Sequence, residues 1–588
     1  SSQNNKTTEE DGLYTTDRLQ ALDEPPHHNE DPGNEEPCSP GVQVISDDVN
    51  GLAFTETQHS SYVGICSNSA AFKVMWKVAP ALKASMAQKY SENSRPSHKA
   101  QKDQNPHSCQ QMPTSADANY IPPPGIAQHL LNSYFYHVHP LMPMVDEASF
   151  WRTWLYSDRS DSPWLALLNV VFALGSLASG TAADEGHRVF YLRARSHLCL
   201  ESFGSNNILL VQALGLLSGY YLHWLNRPNE ASGLMGATLR MATSLGLHRE
   251  FGESQPRPRD ESASSSDIEA DAETRRRTWW SLFVLDTWAN MTTATSVQDH
   301  LAEHAMPTFE KVVQFDAELT KWHQELPSSL RLETSRSRPK SSSTSDNASP
   351  WSTSDNAASS SKDQIPSYIE TPRAIMHWRY HNLRLLMYRP FLLAATLRRA
   401  SDSTTRTQEA IAISRSRATA AQAIDDIDAL CGDQLVPGWA GVWLMFQAAI
   451  TPLLSLFAYS TASQTSMAKD KGPMDQQATN ADDCDADARE WYRQLQTAIA
   501  YFDRMRPWSV LTNTCGGLIQ AKAIMLNIPV SMMQILTPPE DIPMETLWDH
   551  LLWDMAPFDP NSAHGPFPMD DLLGFEGELF SQQNNGLG

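Results

Sequence analysis

Apolar positions along the chain gather into blocks of helical period, separated by stretches with almost no core residues. Trp164 to Leu177 and Leu209 to Leu225 are apolar nearly all round, which is the pattern of helices enclosed on every side by a large bundle. Leu234, Thr238, Met241 and Leu245 recur at helical spacing, and Gly246 follows where a C-terminal cap belongs. Further stripes run through Trp280, Phe283, Val284, Trp288 and Met291, through Met376, Tyr380, Leu383 and Met387, and through Trp491, Leu495, Ala498, Phe502 and Met505. Pro122 to Gly125 act as a stop before the run Ile126 to Pro140. No comparable stretch alternates with period two, so the pattern predicts an all-α fold, a large helical bundle.

Composition divides the chain around that bundle. Residues 1–47 read as a disordered acidic segment, because such a stretch cannot bury enough apolar surface to offset its ordering entropy. Residues 48–85 form a short apolar block, 86–120 a linker, 121–332 the first part of the bundle, 333–367 a Ser-rich linker and 368–530 the second part. Low-complexity inserts over Glu253 to Glu273, Ser335 to Ser367 and residues 461–489 are expected to be mobile surface loops. Residues 531–588 form a tail.

Charge and cysteine usage narrow the function. A formal charge of −23 opposes direct DNA binding, which relies on Lys and Arg releasing counterions from the phosphate backbone. The cysteines at 38, 66, 109, 199, 431, 484 and 515 stand singly, without zinc spacing, so no metal site and no cofactor site is expected in this chain. Val442 to Tyr459 is the best membrane candidate, but Gln447, Thr451 and Pro452 interrupt it, and a buried core helix is the better reading. The glycine-rich, G-x-S-x-G and H-E-x-x-H signatures of enzymes are absent. Asp425, Asp426 and Asp428 read as a solvated helix face rather than metal ligands. His137 and His139 point about 200° apart on a helix and read as aromatic-rich packing. The nine arginines from Arg373 to Arg417 read as side chains lying over the bundle surface and pairing with an acidic chain.

The tail carries the clearest functional signal. Asp541 to Phe580 holds nine acidic residues and no Lys or Arg, interspersed with Trp, Leu and Phe. Mutual repulsion keeps such a segment solvated, leaving its apolar side chains available to dock in a partner's groove, which is the amphipathic activation-domain pattern. Phe567, Met569, Leu572, Leu573, Phe575, Leu579 and Phe580 are the expected contacts with transcription machinery or a coactivator.

Three ordered motifs add a resemblance. Tyr134 to Pro140, with Pro143 to Asp146 and Phe150-Trp151, resembles the opening of the fungal-specific regulatory domain of zinc-cluster transcription factors. Leu239 to Arg249, ending Leu245-Gly246-Leu247-His248-Arg249, is similar to that family's A-x-x-L-G-L-H-R helix end. Glu273 to Trp280, containing Arg275, Arg276, Arg277, Trp279 and Trp280 and followed by Leu285-Asp286, is similar to its E-x-R-R-R-x-W-W…L-D segment. Arg384 to Phe391 and Phe502 to Ser509 look like later helices, and Asp48 to Leu82 like the short block preceding the domain in galactose-regulator-like members.

The resemblance implies a nuclear, homodimeric regulator of RNA polymerase II transcription, controlling carbohydrate or other metabolic genes. Its DNA contact would come only through an N-terminal six-cysteine zinc cluster, and a metabolite inducer or repressor protein would act on the body. His248, Arg249, Arg275, Arg276, Arg277, Trp279, Trp280 and Asp286 are then structural positions. Two departures stand out: no such cluster lies in these residues, and no G-R-P loop follows Asp286. A cluster-less, partner-dependent cofactor and a helical enzyme are the alternatives; no membrane association is expected.

Overall fold

Helix boundaries fall where the sequence supplies caps. The computed structural model describes residues 65–78, 119–205, 207–225, 227–250, 265–293, 307–332, 367–398, 407–432, 434–469 and 478–509, together with 511, 512, 515, 516 and 519. The described residues are 84% helical and contain no strand, as the hydrophobic pattern predicts. In chain order the helices are α1 (Asn68–Val78), α2 (Pro124–Ser133), α3 (Glu147–Tyr156), α4 (Ser162–Ser179), α5 (His187–Ser196), α6 (Ile208–Leu216) and α7 (Pro228–Ser244). There follow α8 (Ser265–Thr293), α9 (Phe309–Glu325), α10 (Ser367–Arg398), α11 (Thr407–Leu430), α12 (Leu435–Lys469) and α13 (Ala478–Met505).

Local chemistry sets several of these limits. Asp146 accepts from the Ser149 amide at 2.8 Å to start α3, and Asp161 caps α4 just ahead of Pro163. At the end of α7, Gly246 takes φ 67°, Leu247 N donates to Ala242 O at 3.0 Å and Gly246 N to Thr243 O at 2.9 Å. This is the double hydrogen bond of a Schellman cap, and Leu247 buries behind it. Tyr134–Val138 and Leu217–Tyr221 are π turns, whose extra residue lets Tyr134 and Phe135, neighbours in sequence, both enter the core.

The helices pack in two halves. In the first, α4 is enclosed by α2, α5 and α6, with α7 laid over α6 and α8. The approach of α2 is so close that a Cβ at Gly175 would overlap the Leu130 carbonyl oxygen. In the second half, α12 is enclosed by α10, α11, α13 and α1. The halves meet where α12 reaches α4 and where the turn His139–Leu141 reaches α10, and one continuous hydrophobic core runs through both. Among the described residues, two helices, Ser162–Ser179 and Val436–Tyr459, are long and apolar enough to cross a membrane; 72% and 100% of their most apolar 18-residue stretches is buried within the bundle, as the core-helix reading expects.

Arg389 fastens the residues of α1 to the bundle. It is 1% exposed and donates to Cys66 O at 2.6 Å, Asn68 Oδ1 at 3.1 Å, Gln447 O at 3.1 Å and Gln447 Oε1 at 2.8 Å. All four acceptors are neutral, so this buried cation is held by oriented dipoles rather than by a carboxylate.

Three expectations need correction. Residues 265–273, 461–469 and 478–489, read as loop from low complexity, lie in α8, α12 and α13. Their alanines favour helix once a packed helix continues into them. The stripe drawn on α8 holds at Trp288, which is buried, and at Met291, which packs on the core, but its first half has the wrong phase: Leu282 and Leu285 are buried, whereas Trp280, Phe283 and Val284 are 54%, 50% and 47% exposed. Within Arg373 to Arg417, Arg384 and Arg415 pair with Asp316 as the pairing reading expects, but Arg389 is engulfed rather than lying over the surface. Residues 1–47, 86–118 and 531–588, with every tail residue from Phe567 to Phe580, lie outside the described residues.

Candidate functional site: an apolar cleft over a buried polar cluster

The misread phase of α8 opens onto a cleft. Between α8, α9, α10 and the turn after α2 lies a cavity of about 360 Å³, at the small end of the roughly 300–1,000 Å³ typical of ligand pockets. Its walls are almost wholly apolar, including Leu141, Leu285, Leu319, Ile375 and Met376. Val284 and Trp322, 47% and 42% exposed, stand at its rim. Four side chains with hydroxyl or guanidinium groups line it: Ser281, Tyr220, Tyr380 and Arg379.

Beneath these walls four buried polar atoms have no hydrogen-bond partner: Arg379 Nε, Tyr220 Oη, His223 Nε2 and Trp439 Nε1, with the Tyr220 ring 5.0 Å from that of Trp439. The Trp288 ring has the Arg379 guanidinium 4.9 Å from its centroid, the His223 ring at 5.1 Å and the Trp439 ring at 5.3 Å. Burial lowers the Arg379 pKa to about 10, with only Tyr220 opposing the shift. Burial, then the charge of Arg379, lowers that of His223 to about 4, and burial lifts Tyr220 well above its ordinary value. At neutral pH the cluster is therefore one positive charge among neutral groups. Buried polar groups are nearly always satisfied, and here four without partners lie close together beside the cleft.

The motif residues expected to be structural surround a different spot. Arg275 Nη2 donates to Leu245 O at 2.8 Å, completing the end of α7, and the His248 ring lies 5.7 Å from that of Trp279. Arg276 pairs with Glu250 at 3.2 Å and with Glu273, while Arg277 reaches Glu273 at 2.7 Å. Arg249 and Trp280 are exposed, and Asp286, half-buried, has its pKa raised by that burial. One helical turn on from Arg275, Thr278 donates to Met144 O at 3.1 Å beside Gln212, which reaches the same oxygen at 2.5 Å. The E-x-R-R-R-x-W-W segment thus pins α8 to α7 on one side and to the Met144 turn on the other.

That combination is now matched from outside. Residues 131–364 match the fungal specific transcription factor domain. The chain resembles the lactose regulatory protein LAC9 of Kluyveromyces lactis, 32% identical over 29% of this chain and 18% of that protein. The sorbicillinoid biosynthetic cluster transcription factor sor3 of Hypocrea jecorina is 28% identical over 36% of each chain. Transcription factor FBD3 of Fusarium pseudograminearum is 27% identical over 47% of this chain and 37% of that one. The chain therefore spans well under half the length of these relatives. No solved structure matches. The matched span supplies α8 and α9 to the cleft, and α10 closes it just beyond that span.

The remaining sequence candidates are accounted for within the bundle. Asp425, Asp426 and Asp428 pair separately with Arg493 at 3.5 Å, His381 at 3.2 Å and Arg504 at 3.2 Å, so they do not converge. His139 donates to Val145 O at 2.8 Å and packs on Phe135, as the packing reading expects. The zinc that the family implies does not fit the described cysteines. Cys66, Cys431 and Cys515 are buried in separate places, Cys199 is exposed, and burial raises the Cys66 thiol to about 12 and Cys515 still further, against thiolate formation. Arg379 and Tyr220 were missed because composition cannot distinguish an arginine over a surface from one beneath it; the one available signal was that Arg379 lies between Trp378 and Tyr380.

Proposed function

We propose that this chain is the regulatory and activating body of a fungal regulator of RNA polymerase II transcription, acting on metabolic genes. The observation that carries the reading is the domain match over residues 131–364, joined by relatives named as regulators of lactose genes and of a biosynthetic cluster. The acidic tail, through Phe567, Met569, Leu572, Leu573, Phe575, Leu579 and Phe580, contacts transcription machinery or a coactivator. The helical body holds the tail's output down until a signal shifts it. Such control requires only that the signal bind one state of the body better than the other. The protein acts in the nucleus as a homodimer, and DNA is contacted through a six-cysteine zinc cluster that these 588 residues do not contain.

The corrected arginines bear on how restraint works. With Arg389 engulfed and Arg384, Arg415 and Arg417 already holding partners, the strip is a poor dock for an acidic tail, and restraint acts through the body's own states. The test tethers the whole chain to a heterologous DNA-binding domain upstream of a reporter, with and without residues 541–588. The proposal expects output that depends on those residues. Equal output from both forms would remove the activation role.

A further inference from the structure

We propose that the cleft between α8, α9 and α10 binds a small monocarboxylate with an apolar body, its carboxylate seated on Arg379 and Tyr220. The walls supply the apolar half of the argument. Apart from Ser281, Tyr220 and Arg379, every lining residue is apolar or aromatic, and the exposed Val284 and Trp322 continue that character to the mouth.

The polar half rests on charge. Arg379 has no ion pair and no hydrogen bond among the described residues, only the Trp288 face. Arg379 is half-buried with its Nε sealed from solvent, and elsewhere in this chain enclosed arginines are answered: Arg384 by Asp316, Arg389 by four neutral acceptors. A carboxylate would accept from the guanidinium fork and from the Tyr220 hydroxyl, which also lacks a partner. A neutral ligand can answer the charge only with dipoles, of which Arg389 needs four, and an alcohol brings a single oxygen; a cation would be repelled. The cavity of about 360 Å³ suits a medium-length chain or a single ring system rather than a nucleotide.

As a sensing site this rests on the regulatory reading above, but binding itself is measured without transcription. Decanoate, decanol and decylamine are titrated into the purified whole chain by calorimetry at neutral pH. The inference expects saturable 1:1 binding of decanoate, at least tenfold weaker binding of decanol, and none of decylamine. Arg379→Met should weaken decanoate at least tenfold while leaving decanol unchanged. Val284→Trp, which narrows the mouth from an exposed position, should weaken both acid and alcohol, and decides the matter if Arg379→Met fails to fold by circular dichroism. Absence of saturable decanoate binding, or equal binding of acid and alcohol, overturns the proposal. So does a folded Arg379→Met or Val284→Trp variant with unchanged affinity for decanoate. Decanoate binding with a silent reporter would leave the site standing and remove only its regulatory role.

Discussion

Replacing Arg389 by Met tests whether α1 is fastened by that side chain. Burial lowers the Arg389 pKa from 12.5 to about 10, which corresponds to roughly 3 kcal/mol of desolvation at about 1.36 kcal/mol per unit. Against this stand four charge-assisted hydrogen bonds, each contributing about 1.5 kcal/mol at the low end of the range for ionised donors, roughly 6 kcal/mol together. The balance favours the wild type by about 3 kcal/mol, and Met fills much of the volume, so little of the loss comes from a cavity. Because three of the acceptor atoms bridge α1 and α12, the cost should appear as local release of residues 65–78 rather than as uniform unfolding. Hydrogen exchange on peptides covering 65–78 should accelerate about a hundredfold in Arg389→Met, with the α4 peptides unchanged. A change within threefold at 65–78 would refute the reasoning, since the desolvation cost would then cancel the bonds.

Other perturbations follow from the same geometry. Gly175→Ala should destabilise the chain by about 2–3 kcal/mol in urea unfolding, because the α2–α4 crossing leaves no room for a Cβ. Asp316, 5% exposed, accepts from Arg384, Arg415 and Tyr388; Asp316→Ala should cost about 3–5 kcal/mol and free α9 to limited proteolysis. Burial, reinforced by Arg188 and Arg379 respectively, lowers the pKa of His187 and His223 to about 4. Below pH 6.5 the unfolded chain then takes up protons that the folded chain refuses. Stability should fall as pH drops from about 6.5 towards 4, by up to about 3 kcal/mol for each histidine. Melting temperatures across that window should fall less in His223→Gln than in wild type.

The all-helical class was legible because stripes such as Trp491, Leu495, Ala498, Phe502 and Met505 admit one buried face, and all five are buried. Gly246 was legible as a cap for a local reason, the left-handed conformation that glycine adopts without strain. The phase of α8 was not legible. Its apolar residues populate both faces, so spacing alone let Trp280, Phe283 and Val284 pass for core while Leu282 and Leu285 were overlooked. The cleft followed the same fate. Its polar floor joins Tyr220, Trp288, Arg379 and Trp439 from four separate helical stretches, and no local pattern announces a tertiary meeting of that kind.

Restraint of the tail by the folded body is the central claim, and one reporter strain measures it. Residues 541–588 alone and the whole chain are tethered to the same heterologous DNA-binding domain at matched expression. The account predicts strong output from the isolated tail and several-fold lower output from the whole chain. Output from the whole chain equal to or above that of the tail would contradict it.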